Sequence, residues 1–126
     1  MAILDTGTII DISRASKGVA TALKEAEKQG EPFRISTISI FELSNGLPAG
    51  LDDKRRELIE PMEIVPLGAE HAERGGIIHR ELRAKGQDIG PFDCLIAATA
   101  LCENEPVITP NAKHFTRVSG LKVITY

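Results

Sequence analysis

Acidic side chains that end an apolar run or open a helix are the residues of this chain best suited to chemistry. Asp5 ends an apolar run, Glu42 lies within an apolar segment, and Asp93 follows a Gly-Pro pair. Carboxylates gathered in one place repel one another unless a cation lies between them, and oxygen ligands suit Mg²⁺ or Mn²⁺. The amide of Asn111 is a weaker, neutral candidate. If the fold brings these side chains together, they predict a divalent-metal site.

Each acid also has an ordinary structural role open to it. Asp5 is placed to cap a helix or fix a turn. Ser39 and Glu42 have the S-x-x-E spacing of a capping box, in which the carboxylate would return to the Ser39 amide. Asp93 falls in the first turn of a helix, where the helix dipole favours an acid. Taken singly, none of the three acids demands a metal.

Strands and helices alternate along the chain and would position these residues. Short apolar or alternating runs predict strands, and helical periodicity with Gly or Pro stops predicts helices. The strands are expected at residues 2–4, 33–37, 63–67, 106–109 and 121–125. The helices are expected at residues 9–12, 16–29, 38–45, 52–59, 69–85 and 91–103. This order predicts an α/β fold with a mainly parallel sheet.

In a parallel sheet, ligands gather outside the carboxyl ends of the strands. We expect Asp5, Glu42 and Asp93 to occupy strand-to-helix junctions on that side, with Asn111 just beyond the fourth strand. The pair Gly75-Gly76 inside a helix predicts either close packing or a break. The helix at residues 91–103 is apolar nearly all round, which predicts that it is buried.

Composition is that of an ordinary globular protein, expected to form one domain over residues 1–126. Hydrophobic residues make up 42% of the chain and charged residues 26%, and aromatics are only 4% with no Trp, so the core must be aliphatic. The formal net charge of −3 argues against binding nucleic acid by bulk charge. Local basic patches remain compatible with it.

The cysteines and histidines suggest neither a disulfide nor a zinc site. Cys94 and Cys102 would lie about 12 Å apart on one helix, too far for a disulfide, so we expect buried free thiols. His71, His79 and His114 lack zinc spacing and are expected at the surface or in helix packing. No apolar run of roughly 18 residues and no secretory signal are found. These features predict a cytoplasmic protein.

Four segments, in order, resemble PIN-domain ribonucleases of the VapC toxin type. They are residues 3–6, 39–43, 91–100 and 107–115, the last followed by Gly120-Leu121. One such segment is weak evidence, whereas four at this spacing in a short chain are specific. The resemblance covers essentially the whole chain. It implies a three-layer α/β/α PIN-like domain, Mg²⁺- or Mn²⁺-dependent endoribonuclease activity, a homodimer and inhibition by a cognate antitoxin.

The resemblance also assigns site residues. The family's metal-binding and catalytic acids correspond to Asp5, Glu42 and Asp93. Hydroxyl positions beside them correspond to Thr6 and Thr109. Many relatives have a further acid where this chain has Asn111, so the resemblance leaves the number of metal ions open.

Contacts to RNA are less specific in the sequence. Lys113, His114 and Arg117 are candidates for phosphate contacts, with solvated loop charge as the alternative interpretation. The lack of Trp and the single Tyr126 argue against a large base-stacking platform. A phosphoaspartate hydrolase would need an Asp where Gly7 stands, and a receiver-like domain would need an acidic pair early in the chain. The remaining alternative is a PIN-like module that binds RNA or a partner without cutting.

Overall fold

The chain forms a five-stranded parallel sheet with helices on both faces. A computed structural model describes residues 1–28, 30 and 32–126. The strands are β1 (Ala2–Leu4), β2 (Phe33–Ser36), β3 (Glu63–Val65), β4 (Val107–Ile108) and β5 (Val123–Ile124). The helices are α1 (Thr6–Ser13), α2 (Val19–Lys28), α3 (Thr37–Asn45), α4 (Asp53–Ile59), α5 (Ala69–Ala84), α6 (Pro91–Cys102) and α7 (Ala112–Phe115).

The sheet has the strand order β3-β2-β1-β4-β5, and its neighbouring strands all pair in parallel. In the centre, Ile3 pairs with Arg34 of β2 and with Val107 of β4. The predicted α/β fold with about five strands is confirmed. The strands are shorter than expected, since β4 and β5 have two residues each.

Two separate cores cover the two faces of the sheet, because successive side chains of a strand point to opposite sides. Ile3 packs with residues of α5, α6 and α7, including Ile96 and Phe115. Its neighbours Ala2 and Leu4 pack with the helices of the other face, α1 to α4. The central strand is fully buried on both faces. The chain is therefore a three-layer α/β/α sandwich, as expected.

Helix α2 begins later than the sequence pattern predicted. Gly18 has φ +90°, which is outside the helical region, so the helix begins at Val19 and Ser16 is not its cap. The predicted end at Gln29 lies outside the described residues. Helix α4 begins at Asp53, with the side chain of Asp52 accepting a hydrogen bond from the Arg55 amide.

Helices α5 and α6 pack closely on one face of the sheet. Helix α5 is continuous through Gly75 and Gly76, so the predicted close packing is confirmed and the break is not. A Cβ on Gly75 would lie 2.8 Å from Leu95 Cδ2, whereas one on Gly76 would meet nothing within 4 Å. Helix α6 is largely buried as predicted, but Phe92 near its start is 41% exposed.

The described cysteines are both free, Cys94 buried and Cys102 partly exposed, so the expectation of buried thiols holds only for Cys94. None of the helices in the described part of the chain has the length and apolar character needed to cross a bilayer.

Candidate functional site

Asp5, Glu42 and Asp93 lie near one another beyond the carboxyl ends of β1, β2 and β4. Asp5 follows β1, Glu42 lies within α3 after β2, and Asp93 is in the first turn of α6. The expectation that all three occupy strand-to-helix junctions is wrong for Asp93, since α6 follows α5 with no strand between them. Because the other end of α6 leads into the start of β4, its first turn returns to the carboxyl edge.

Asp5 is held by the neighbouring strand and does not cap α1. Its backbone occupies the position before the helix, but its side chain makes no capping hydrogen bond. Instead, Thr109 Oγ1 donates to Asp5 Oδ2 across 2.8 Å. The same Thr109 oxygen accepts a 2.9 Å hydrogen bond from the main-chain amide of Asn111. The carboxylate is therefore oriented from the end of β4, and only 6% of Asp5 is exposed.

Glu42 is held by α1, and the capping-box reading is wrong. Helix α3 is capped by Ser36, whose side chain accepts from the Ile38 amide, so Ser39 lies inside the helix. The Thr6 hydroxyl donates to Glu42 Oε1 at 2.8 Å and lies 2.9 Å from the buried Ser39 Oγ. Ser39 and Glu42 are three residues apart and so share a helix face. That face meets the start of α1, which turns Glu42 toward the other acids.

Asp93 is paired with His114, a residue that was expected at the surface or in helix packing. His114 Nδ1 lies 3.1 Å from Asp93 Oδ2. The sequence signal available was a His in the short helix directly after β4, at the same sheet edge. Nothing in the sequence linked that position to Asp93, which lies 21 residues earlier.

The electrostatics of the cluster favour a cation. Burial, reinforced by the charges of Asp93 and Glu42, raises the pKa of Asp5 from 3.8 to about 6, although hydrogen bonds from the Thr109 side chain and the Thr6 backbone act in the opposite direction. Burial also raises the pKa of Glu42, opposed by the Thr6 hydrogen bond and reinforced by Asp93. A cation bound nearby would lower both pKa values, because it stabilises the charged form of a carboxyl group. The raised pKa values therefore indicate carboxylates that lack a balancing positive charge.

The other predicted site residues lie on α7 or directly beside it, after β4. Asn111 is exposed, and within the described residues its side chain makes no hydrogen bond. Lys113 is exposed on α7. One guanidinium nitrogen of Arg117 lies 3.4 Å from the carbonyl oxygens of Gln87 and Asp88. Lys113 is therefore freer than Arg117 to contact an RNA phosphate.

The donor set fits a hard divalent cation in its chemistry. Carboxylate and hydroxyl oxygens, as offered by Asp5, Glu42, Asp93 and Thr109, are the ligand types that Mg²⁺ and Mn²⁺ prefer. Over residues 1–28, 30 and 32–126, no three His, Cys, Asp or Glu side chains lie close enough together to hold one ion. A shared ion would therefore have to draw the carboxylates inward.

Comparison with known proteins places the chain in a family. A model described as PIN domain matches residues 2–121. Ribonuclease VapC1 of Rickettsia felis is 30% identical over 98% of this chain and 94% of its own length. The tRNA(fMet)-specific endonuclease VapC of Salmonella typhimurium is 31% identical over 71% of each chain.

Solved structures agree with this assignment. One is the VapBC2 complex of Rickettsia felis bound to a promoter DNA fragment. A chain of that complex matches with a TM-score of 0.82 and 26% identity, and the match covers 99% of this chain and 98% of that chain. DNA-bound VapBC of Salmonella typhimurium matches with a TM-score of 0.80 and 26% identity, covering 98% and 96%. The protein belongs to the PIN domain family.

Proposed function

We propose that this protein is a divalent-metal-dependent endoribonuclease that cuts RNA phosphodiester bonds, and that it is the toxin of a VapBC-type toxin–antitoxin pair. The observation that carries the proposal is the single cluster formed by Asp5, Glu42 and Asp93 at the carboxyl edge of the sheet. Relatives named ribonuclease VapC support the reaction. Solved VapBC complexes of similar fold support the protein partner.

Asp5, Glu42 and Asp93 are the proposed ligands of a Mg²⁺ or Mn²⁺ ion, with the Asn111 amide as a weaker neutral ligand. Divalent-metal dependence is general among PIN-domain nucleases. When bound, such an ion lowers the pKa of a bound water and offsets charge on the phosphate. The raised pKa values of Asp5 and Glu42 support the proposal, because an ion between them would relieve their mutual repulsion.

The neighbouring side chains hold these acids for the reaction. Thr109 fixes one oxygen of Asp5, and Thr6 fixes one oxygen of Glu42. His114 holds Asp93 at the start of α6. Each contact leaves another carboxylate oxygen for a ligand. Since prepositioned groups need little rearrangement during the reaction, this arrangement favours catalysis.

Contacts outside the cluster complete the proposal. We assign Lys113 and Arg117 to RNA phosphate, since α7 and the turn that follows it carry them close to the rim of the cluster. The resemblance to VapC toxins further implies a homodimer, which light scattering of the purified protein tests. The antitoxin partner is tested by co-expression with the gene beside this one.

The deciding experiment is cleavage of total RNA with added Mg²⁺ or Mn²⁺. We compare the parent protein, Asp93→Asn, and the matched control Asp53→Asn, which changes an exposed acid at the start of α4. Asp93→Asn should lose at least about a hundredfold in rate, while Asp53→Asn should retain the parent rate. A folded Asp93→Asn protein that cuts as fast as the parent would refute the proposed catalysis.

Calorimetric titration with Mn²⁺ separates metal binding from the choice of RNA. The parent protein should bind saturably, and an Asp5→Asn variant shown to be folded by circular dichroism should not. The alternative is a non-catalytic module that binds RNA or a partner. One observation favours it: among the described residues, no three acidic side chains are close enough together to hold one metal ion. Equal Mn²⁺ binding by both proteins, or none, would make that alternative the better one.

A further inference from the structure

Three basic side chains line a groove between α5 and the turn that follows α7. Arg74 lies on α5 and Lys85 directly follows that helix, while Arg117 belongs to the opposite wall. The residues that form and orient the acidic cluster come from other elements of the fold, so the groove is a separate feature. We call it the basic groove.

The floor of the basic groove is apolar. It is formed by the buried side chains of Ile78, Leu82 and Val118. A charge beside an apolar surface is screened less than a charge surrounded by water, so it attracts an opposite charge more strongly. The groove therefore presents its basic groups where their attraction for an anion is strengthened.

The basic groups of the groove are available to a ligand. Within the part of the chain that the structure describes, the side chains of Arg74 and Lys85 form no salt bridge and no hydrogen bond. Nη1 of Arg117 lies 3.4 Å from the carbonyl oxygens of Gln87 and Asp88. These two contacts orient the guanidinium group and leave its other nitrogens open.

The charge of the basic groove is opposite to that of the whole protein. Three bases line it together with one acid, Glu81, whereas the chain has a formal net charge of −3. A local positive potential of this kind attracts an anion to one part of an otherwise acidic surface. The occupant that the groove fits is therefore an anion.

The dimensions of the basic groove fit a chain of phosphates. Its volume is about 170 Å³, below the roughly 300–1,000 Å³ of pockets that enclose a drug-sized molecule. A helix rises about 1.5 Å per residue, so Arg74 and Lys85 lie about 16 Å apart along α5. Helical side chains lean toward the N-terminus and do not converge. One phosphate cannot bind both residues, whereas a backbone with successive phosphates can.

One end of the basic groove adjoins the segment that carries Asp93. Arg117 contacts the loop that leads into the first turn of α6, where Asp93 lies. Arg117 also follows, by three residues, the His114 that pairs with Asp93. An RNA strand bound at the acids can therefore continue along the groove.

We propose that the basic groove binds the sugar–phosphate backbone of RNA, at phosphates beyond the one that is cut. This inference rests on the proposed ribonuclease function and adds a second binding site to it. Contacts to phosphate carry no sequence information, so the groove adds affinity whatever the bases are. It adds this affinity only for a strand that is long enough to reach both sites.

Fluorescence anisotropy tests the contact without cleavage. Labelled oligouridylates of increasing length are titrated with the protein in EDTA, which removes divalent metal. The affinity of the parent should rise once the strand is long enough to occupy the groove. Arg74→Gln and Lys85→Gln should reduce this rise. Each should also lower the slope of log Kd against log salt by about 0.7, the value for one phosphate contact to a single strand.

Two further variants separate the basic groove from general charge. Lys54→Gln removes the same charge from an exposed position on α4, which packs on the other face of the sheet, and should bind like the parent. Glu81→Gln removes the acid of the groove and should bind long oligouridylates more tightly. Circular dichroism checks that each variant is folded. An equal loss of slope in Lys54→Gln, or an unchanged slope in Arg74→Gln and Lys85→Gln, would overturn the inference.

Kinetics provide a second readout in the presence of metal. Arg74→Gln and Lys85→Gln should raise KM for long RNA and leave kcat unchanged, because a contact made equally in ground and transition states affects binding alone. For RNA too short to reach the groove, both variants should match the parent. A lower kcat for short RNA would instead show that the substitutions disturb the acidic cluster, and would contradict a separate site.

The outcomes separate this inference from the proposed function. Length-dependent binding that requires Arg74 and Lys85, in a protein that cuts no RNA, would support the groove and refute the nuclease. Asp93-dependent cleavage, with parental RNA binding in both glutamine variants, would refute the groove and leave the nuclease standing. If the two variants lose only the antitoxin and bind RNA like the parent, a protein occupies the groove and the inference is wrong.

Discussion

Thr109 Oγ1 donates a 2.8 Å hydrogen bond to Asp5 Oδ2, joining two residues that are 104 positions apart in the chain. Both lie at the carboxyl ends of neighbouring central strands, β4 and β1. Because Thr109 also accepts the Asn111 amide, one hydroxyl ties the acid to the loop that begins α7. The orientation of Asp5 therefore depends on the pairing of two strands from opposite ends of the sequence.

Replacing Thr109 by Val should weaken the site and the fold together. The change keeps the shape of the side chain but removes the donor to Asp5 and the acceptor for Asn111. The loss of a hydrogen bond to a buried carboxylate lowers the free energy of unfolding by about 1–3 kcal/mol. Urea unfolding above pH 6 measures it. The control is Thr99→Val, because the Thr99 hydroxyl donates to the carbonyl oxygen of Leu95 in its own helix. Equal losses in the two variants would contradict this role for Thr109.

The stability of the metal-free protein should fall as pH rises through the titration of Asp5. Its pKa is raised from 3.8 to about 6 in the folded state, so the folded protein binds this proton more tightly than the unfolded chain does. The stabilising contribution is complete below pH 3.8 and is lost by the time pH has risen above about 6. The shift corresponds to about 3 kcal/mol.

An Asp5→Asn variant provides the control for that pH dependence. It should lack this part of the dependence and be more stable than the parent above pH 6, measured by urea unfolding with EDTA present. In a second series without EDTA, adding Mn²⁺ should stabilise the parent above pH 6 and leave the variant unchanged, since only the parent has the full set of ligands. A variant with the same pH profile as the parent would show that Asp5 does not titrate in this range.

His114→Ala should lower RNA cleavage by about tenfold, because Asp93 loses the partner that orients it. A carboxylate accepts hydrogen bonds, so the His114 Nδ1 atom 3.1 Å away carries the proton. His114→Asn retains a donor and should recover part of the activity. The control is His79→Ala, whose imidazole pairs with the exposed Asp88, which is not one of the proposed metal ligands. Full activity in His114→Ala would assign the contact to structure alone.

Alanine substitutions at the two adjacent glycines of α5 should change the stability of the protein in opposite directions. Gly75→Ala would place a Cβ 2.8 Å from Leu95 Cδ2 and force that side chain out of its present conformation, at a cost of about 1–3 kcal/mol. Gly76→Ala meets no atom within 4 Å and should stabilise the helix by about 1 kcal/mol. Thermal unfolding of the two variants measures both effects. Equal shifts in the same direction would contradict the close packing at Gly75.

The alternation of strands and helices, and with it an α/β fold with a mainly parallel sheet, could be predicted from local patterns, whereas the three-layer arrangement was implied by the resemblance to PIN domains. Period-two and apolar runs mark β1 and β2 because side-chain direction alternates along a strand. Boundaries were less predictable: α2 starts at Val19 because Gly18 takes a positive φ. Asp5, Glu42 and Asp93 could also be selected as candidate site residues, from their positions and from the resemblance to VapC toxins.

The contacts that orient those acids were not predictable from local sequence. Ser39 and Glu42 have the spacing of a capping box, yet helix α3 begins at Thr37 with Ser36 as its cap, and Glu42 accepts instead from Thr6. His114 had no sequence feature that linked it to Asp93. Both acids are bound by residues that are distant in the sequence, because packing decides which side chains come within hydrogen-bonding distance.

By itself, the sequence determined the order of elements apart from the short helix α7, the aliphatic core and the choice of the candidate acids, since these depend on neighbours along the chain. Only the tertiary structure decided that Thr109 would hold Asp5, that His114 would hold Asp93, and that Phe41 and Phe92 would meet beside them. The reason is physical: parallel strands bring distant segments to one edge of the sheet, and hydrogen bonds a few ångströms long form only after that packing is complete.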